Sequence, residues 1–350
     1  MKLKLLVILI IPFFCLAQIP PYYNSIDFSK TGDNLKNQLT TLITTTHTIN
    51  LPYTTTGTTD TWDALYQTDL NPTNDNKVLL VYGWNDTDTD ITNDLSRDKT
   101  FSCHTSSCSG LWQREHIFPR SLGTPNLGFE LAGSDAHNLR AIDTDRNGSR
   151  SNRMYEDATS SVMSYTTLSG NWYPGDEWRG DVARMIMYMY VRYPTQCSAN
   201  SVGAGSNTYS VDMPNVFLDW NAQDPVSQYE INRNNILNIL QGNRNPFIDN
   251  PNLATIIWNG PTATENWGLL SIKQDSLNQI LIYPTITKDI VHIINKENKQ
   301  YSYYVYNTIG QLVNSNTTTD IIDISNNNKG LYFITLKLEN QSKTFKVVLY

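Results

Sequence analysis

A chain of 350 residues, 39% of them hydrophobic, has room for two or three domains, each with a packed core. Its formal net charge of −7 excludes a broad electropositive surface that would hold a polyanion by charge alone. Any site for a polyanion must therefore be local.

The chain opens with Met1-Lys-Leu-Lys4 and an apolar run from Leu5 to Ala17. Two lysines, a short apolar stretch and a small residue predict a secretory signal peptide over residues 1–18. The run is too short for a membrane-spanning helix, and no stable membrane span is expected. Export implies an oxidising compartment, where cysteines pair. Cys103 and Cys108 flank a polar stretch, His104-Thr-Ser-Ser107, and are expected to form a disulfide. The rival reading, zinc held by Cys103, His104 and Cys108, lacks a fourth ligand. Cys197 then remains as a buried free thiol.

Residues 19–265 are expected to form one mixed domain. Apolar residues at helical spacing predict a helix over Asp33–Ile43, after a cap-like Thr-Gly-Asp. Lys77–Gly83 reads as a buried strand. Thr54–Thr61 and Asn85–Asp94 read as surface loops. Asp86, Asp88 and Asp90 alternate as in a calcium loop, but no glycine and terminal glutamate follow at EF-hand spacing. Gly180–Arg192 predicts a helix so apolar that it belongs in the core, where methionine fills irregular space. A further helix is expected from Pro225 to Leu240, stopping before Gly242 and Pro246.

The chemistry concentrates between these elements. Trp112-Gln-Arg-Glu-His-Ile-Phe-Pro-Arg-Ser121 places a carboxylate, Glu115, beside an imidazole, His116. Leu111–Phe118 has strand-like apolar positions and Pro119 ends it. Neighbours on a strand point to opposite faces, so Glu115 and His116 can share one site only at a strand end or a bulge. Asp135-Ala-His-Asn-Leu-Arg-Ala-Ile142 reads as a second short strand. Asn147-Gly148 is a turn signal, and a helix is expected to begin at Ser149. A carboxylate plus an amide oxygen suits a hard cation such as Mg²⁺, and a histidine beside it can deprotonate water. Six arginines and five acids lie between Leu111 and Arg153, a local balance of about +1 in an acidic chain.

These pieces together resemble the bacterial endonuclease I family of secreted and periplasmic nucleases. The residues that carry the likeness are Arg114-Glu-His-Ile-Phe-Pro119, Asp135-Ala-His-Asn-Leu139 and Asn147-Gly-Ser-Arg-Ser-Asn152. Arg179-Gly-Asp-Val-Ala-Arg184, Trp220-Asn221, Asp224-Pro-Val226 and Gln241-Gly-Asn-Arg-Asn-Pro-Phe247 follow in matching order.

The resemblance implies an α+β fold: a ββα-metal (His-Me finger) nuclease domain with surrounding helices. It implies that His116 is the general base, and that Glu115 and Asn147 hold Mg²⁺, with Ca²⁺ or Mn²⁺ as alternatives. Asn152, about a turn and a half along the helix, is expected to support the site, as are His137 and Asn138. Arg150 either contacts phosphate or fixes the turn. Some family members carry an arginine for the leaving group between the two strands, and a glutamate four residues before the histidine of His-Asn-Leu. Here Ser121–Ser134 contains no basic residue, and the glutamate position is Gly133. That leaves Arg120, Arg150 or a metal-bound water for the leaving oxygen. The implied activity is largely sequence-non-specific hydrolysis of DNA, with RNA open, leaving 5′-phosphates by a one-metal mechanism. The alternatives are a weak or inactive relative and a surface adhesin or glycan-binding protein.

After an expected linker at 266–276, residues 277–350 change character. β-branched and aromatic runs at Tyr301–Tyr306, Asp320–Ile324 and Leu331–Leu338 are separated by Asn/Gly turns and predict a small all-β sandwich. Ile282-Tyr-Pro-Thr285, Val305–Val313, Lys329–Leu336 and Lys346–Leu349 resemble the C-terminal sorting domain of type IX secretion cargo, although many such tails have Asn-Pro near Thr285. This implies the type IX secretion machinery as a partner and a secreted or cell-surface, monomeric protein.

Overall fold

A computed structural model describes residues 18–105, 108–269, 280–294, 300–338 and 341–350. The expected signal peptide lies outside the described residues except for Gln18, as does the expected linker from residue 270 on. The chain divides after Trp267 into two units.

In the first unit, helix α1 (Gly32–Thr46) follows the predicted spacing: Leu35, Leu39, Leu42 and Ile43 form one buried stripe. The Thr-rich loop ends one residue earlier than expected, because Asp60 caps helix α2 (Thr61–Thr68). Its carboxylate accepts from the Trp62 and Asp63 amides while Asp63 reaches back to the Asp60 N–H. A small antiparallel sheet follows, β1 (Leu70–Asn71), β2 (Asn74–Leu79) and β3 (Ser96–Asp98). The strand expected at Lys77–Gly83 is thus shifted toward the N-terminus. Beyond it the Val81 amide donates to the Ala141 carbonyl at 2.8 Å, which brings Tyr82 over the central hairpin.

That hairpin is β4 (Trp112–His116) and β5 (Leu139–Asp143), paired antiparallel, with helix α3 (Thr144–Arg150) directly after it. Here the structure corrects two expectations. Asp135–Asn138 is not strand; Ala136–Asn138 is a 3-10 turn before β5. Helix α3 ends, rather than begins, at the predicted position, so Asn147-Gly148 is helical and not a turn. The cause is Asp143, whose carboxylate accepts from the Asp145 and Arg146 amides and starts the helix early.

Strands β6 (Tyr165–Thr166) and β7 (Trp172–Tyr173) form a small hairpin. Helix α4 (Arg179–Arg192) is buried almost all round, as its apolarity predicts, and packs against α1, α5 (Asn215–Gln223) and α7 (Pro246–Asp249). Helix α6 (Gln228–Gln241) ends at Gly242, held at φ 90°. A Cβ there would lie 2.5 Å from the Thr46 carbonyl, so the position accepts only glycine. Helix α8 (Asn252–Trp258) closes the unit. An apolar cluster of Trp62, Leu65, Val78, Leu80, Trp112, Leu139 and Ala141 ties α2 and β2 to the hairpin.

The second unit holds β8 (Leu281–Tyr283), β9 (Ile286–Thr287), β10 (Ile290–Ile294), β11 (Tyr301–Asn307), β12 (Leu312–Thr318), β13 (Ile321–Asp323), β14 (Gly330–Leu338) and β15 (Gln341–Leu349). They form a three-stranded sheet, β13-β10-β8, and a five-stranded one, β12-β11-β14-β15-β9. Val291, Ile293 and Ile322 from the first share a buried core with Tyr303, Val305, Ile334, Leu336 and Val347 from the second. This is the expected all-β tail.

Candidate active site

Strand β4 presents Trp112, Arg114 and His116 on one face and Gln113 and Glu115 on the other. The pairing Glu115↔Arg140 and His116↔Leu139 is regular, so no bulge brings the acid and the imidazole together. His116 instead is the last residue of its strand, where the chain turns away. Asn138 fixes that turn: its Oδ1 accepts from the Phe118 amide at 2.7 Å and its Nδ2 donates to the Phe118 carbonyl at 3.1 Å.

His116 is buried, with Nε2 2.8 Å from the Gly133 carbonyl oxygen. A carbonyl only accepts, so Nε2 carries the hydrogen and Nδ1 keeps the lone pair. Position 133 accommodates no side chain, since a Cβ would lie 2.2 Å from the Gly128 carbonyl oxygen. Glycine there lets the backbone turn toward the imidazole. The Tyr53 ring stacks on His116 at 5.7 Å. Burial, with Arg120, Arg114 and Arg150 adding to it, pushes the imidazole down to about 3, so it is neutral at pH 7.

Glu115 faces a different set. Arg150 Nε lies 3.2 Å from its Oε1, but without hydrogen-bond alignment. The Tyr82 hydroxyl is 3.5 Å from Oε1 and 2.7 Å from the Tyr155 hydroxyl, and Tyr155 donates to the Ile117 carbonyl at 2.9 Å. Each phenol has one proton. With Tyr155 committed to Ile117, the Tyr82 proton goes to the nearer oxygen, that of Tyr155, and Glu115 is left mainly with the His116 backbone amide as its donor. Burial pushes the carboxyl up to about 7 despite the Arg150 guanidinium.

Arg150 is fully buried and donates to the Ile117 carbonyl and to the Ser151 carbonyl, both at 2.9 Å. It thus ties the end of α3 to the end of β4. Asn147 lies three residues earlier in the helix, on the neighbouring part of the same face, and is half-buried. Among the described residues no side-chain hydrogen bond holds its amide. Asn152 lies beyond the helix, not along it: it is exposed, and its Nδ2 donates to Ser121 Oγ at 3.3 Å. Ser151 at φ 54° breaks the helix before it.

A buried carboxylate on β4 and an amide without a side-chain hydrogen bond on α3, the helix that follows the hairpin, are oxygen donors of the kind a hard divalent cation keeping several waters accepts. Among the described residues no group of three or more His, Cys, Asp or Glu is placed to hold a metal. A site built from Glu115 and Asn147 would therefore rely on water and substrate oxygens. Cys103 and Cys108 form a disulfide with Cα atoms 5.5 Å apart, and Cys197 is buried and free.

Outside this core, His137 packs on Tyr188 and lies 3.3 Å by Nε2 from the Asn243 carbonyl. Gln241 accepts from the Ala136 amide and donates to Asp135, so the Gln241–Asn245 motif braces the turn that carries His137 and Asn138. Arg184 makes a two-pronged pair with Glu230 at 2.6 and 2.7 Å. Arg120 is half-exposed and donates to the Gly128 carbonyl at 3.3 Å. The local charge balance also needs correction. Arg140 is buried against Asp181 (3.0 Å) and Asp69 (3.6 Å), and Arg150 against Glu115, but Glu115, Asp135 and Asp143 are buried as well, so the surface part of this stretch keeps a positive excess from Arg114, Arg120, Arg146 and Arg153 over Glu130 and Asp145. Tyr53, Tyr82 and Tyr155 carry no signal in sequence spacing; they reach the site from segments remote along the chain.

Residues 31–252 match the Endonuclease I family, and residues 281–350 match the secretion system C-terminal sorting domain. The chain is 37% identical over 256 residues to the extracellular ribonuclease of Bacillus subtilis (strain 168), covering 69% of this chain and 80% of that protein. It is 35% identical to the extracellular ribonuclease of Bacillus amyloliquefaciens, covering 69% and 79%. Endonuclease-1 of Buchnera aphidicola subsp. Baizongia pistaciae (strain Bp) is 28% identical over 137 residues, 35% of this chain and 49% of that protein.

Proposed function

The chain belongs to the endonuclease I family and is a secreted or cell-surface nuclease, and on that premise we propose that it hydrolyses both RNA and DNA with little sequence preference, leaving 5′-phosphates. The observation that carries this reading is the neutral His116, its Nδ1 lone pair free, one residue from the donor-poor Glu115 carboxylate.

Glu115 and the Asn147 amide oxygen are the groups that would hold a hard cation, Mg²⁺ with Ca²⁺ or Mn²⁺ as substitutes. When bound, that cation supplies Lewis-acid stabilisation of the charge developing on the phosphate. His116 Nδ1 takes a proton from the attacking water. A bound phosphate offsets the guanidinium charges that depress His116, which raises its basicity when substrate is present. Arg120, partly exposed, is the arginine available to the phosphate or the leaving 3′ oxygen; Arg150 is enclosed and gives Glu115 a neighbouring positive charge. The nucleophile is water rather than the 2′-hydroxyl, so the chemistry does not distinguish ribose from deoxyribose. Phosphate contacts carry no base information, which accounts for weak sequence preference.

The purified chain is expected to nick supercoiled plasmid and to cleave an RNA of the same sequence with Mg²⁺, and chelator should abolish both. His116→Ala should lower the rate about 10²- to 10⁴-fold in protein that circular dichroism shows to be still folded, with a lower melting temperature because the Gly133 carbonyl loses its donor. Folded protein that leaves both substrates intact across Mg²⁺, Mn²⁺ and Ca²⁺ would overturn the reading in favour of an inactive relative.

A further inference from the structure

Residues 121–134, between the two site strands, have no basic residue, but they expose apolar side chains beside the base. Phe129 is 55% exposed. Its ring is nevertheless fixed, 4.9 Å from the Tyr53 ring, which in turn stacks on His116. The Arg120 guanidinium lies 4.0 Å over the Phe129 ring, and that of Arg114 lies 3.5 Å over Tyr53. Two rings therefore lead outward from the imidazole, flanked by two cations. Held in place yet open to solvent, Phe129 is costly as a surface residue and well made as a contact.

The cations fit phosphates and the rings fit bases. Every nucleobase has a π face, so stacking tolerates any sequence. A chain of net charge −7 has little long-range attraction for nucleic acid, and stacking supplies affinity that charge does not. A base inside a duplex is already sandwiched by its neighbours, whereas an unpaired base can lie on Phe129.

We propose that Phe129, held in place by Tyr53 and the Arg120 guanidinium, is a stacking subsite for one unpaired nucleobase next to the phosphate served by His116, so that single strands are favoured over duplex. This rests on the hydrolytic reading above and deepens it.

The test uses the full chain and its Phe129→Ala, Phe129→Leu and Phe129→Trp variants, with a labelled single-stranded oligonucleotide, its duplex, and a copy abasic at one position. Cleavage is measured with Mg²⁺, and binding by anisotropy in chelator. Phe129→Ala should raise KM on the single strand about tenfold, with a much smaller effect on kcat and on the duplex. Phe129→Leu keeps apolar bulk against Tyr53 without a π face and should behave like Phe129→Ala; Phe129→Trp should restore binding. The abasic substrate should lose little further when combined with Phe129→Ala. Equal losses on single strand and duplex, or single-strand binding unchanged in the Ala and Leu variants, would overturn the subsite. If the wild type binds but cleaves nothing, the nuclease reading falls, while the binding comparison still decides the subsite.

Discussion

Arg150 shows what one enclosed side chain does for this site. Its guanidinium serves the Ile117 and Ser151 carbonyls and lies against the Glu115 carboxylate. Arg150→Ala would strand two carbonyls and leave Glu115 without its charged neighbour. Breaking a buried pair in this way costs about 3–5 kcal/mol, so denaturant midpoints should fall sharply. Arg150→Lys keeps the charge without the planar fork and should fall less. Equal midpoints for wild type and Arg150→Ala would mean that the guanidinium is not the tie between β4 and α3. Glu115, His116 and Asn147 were legible as candidates because they stand in motifs that together, in order, resemble one family. Their neighbours were not. The chain has 20 tyrosines, so nothing marks Tyr53, Tyr82 or Tyr155 until folding brings them in. Gly133 is similar: it looks like a lost glutamate in sequence and proves to be the close approach that puts a carbonyl on His116.

At the scale of elements, the long helices and the tail strands follow periodicity, β2 and β5 are displaced from their expected bounds, and the short helix α3 is not where the turn signal put it. Asn-Gly is a turn signal because both residues adopt left-handed backbone readily. Here a cap overrides it. Asp143 binds two helix amides and also pairs with Arg97 at 2.6 Å, which anchors the start of α3 four residues before Asn147. Gly148 then sits in a right-handed helical backbone with open space around its missing Cβ. Gly148→Ala should therefore stabilise by roughly 0.5–1 kcal/mol, through helix propensity and a less flexible unfolded chain. That is on the order of 1–4 °C in melting temperature for a unit of this size. A turn conformation at Asn147-Gly148 would instead make the alanine destabilising, so the sign of the change separates the two local structures. The four-residue arc from Asp143 to Asn147 also explains how a cap sets the position of the Asn147 amide.

For the whole molecule, the presence of a mixed unit and an all-β tail was readable from the change in composition at about residue 277, because each unit has its own apolar core; the structure divides the chain after Trp267. The charged interior of the first unit was not. Arg140, counted in sequence toward a local positive balance, is buried against Asp181, as Arg184 is against Glu230 and Arg233 against Asp69. His137 lies in the middle of this interior and links distant segments: Asp135 beside it, Tyr188 of α4, Asn243 after α6, with Arg233 and His47 also facing it. Burial pushes it down to about 4, against the pull of Asp135, and Arg233 and His47 push the same way as burial. Unfolded, it returns to about 6.5. Between those values the unfolded chain binds a proton that the folded chain does not, so folding stability falls as pH falls. The contribution is complete above pH 6.5, declines between 6.5 and 4, and is flat below. Replacing His137 with glutamine keeps a donor near the Asn243 carbonyl and removes the titration. The stability advantage of wild type over His137→Gln, measured by urea denaturation, should shrink by roughly 3 kcal/mol from pH 7 to pH 4. A difference that stays constant across that range would mean that His137 is protonated, or solvated, in the folded protein, and the buried network would have to be redrawn around a charged imidazole.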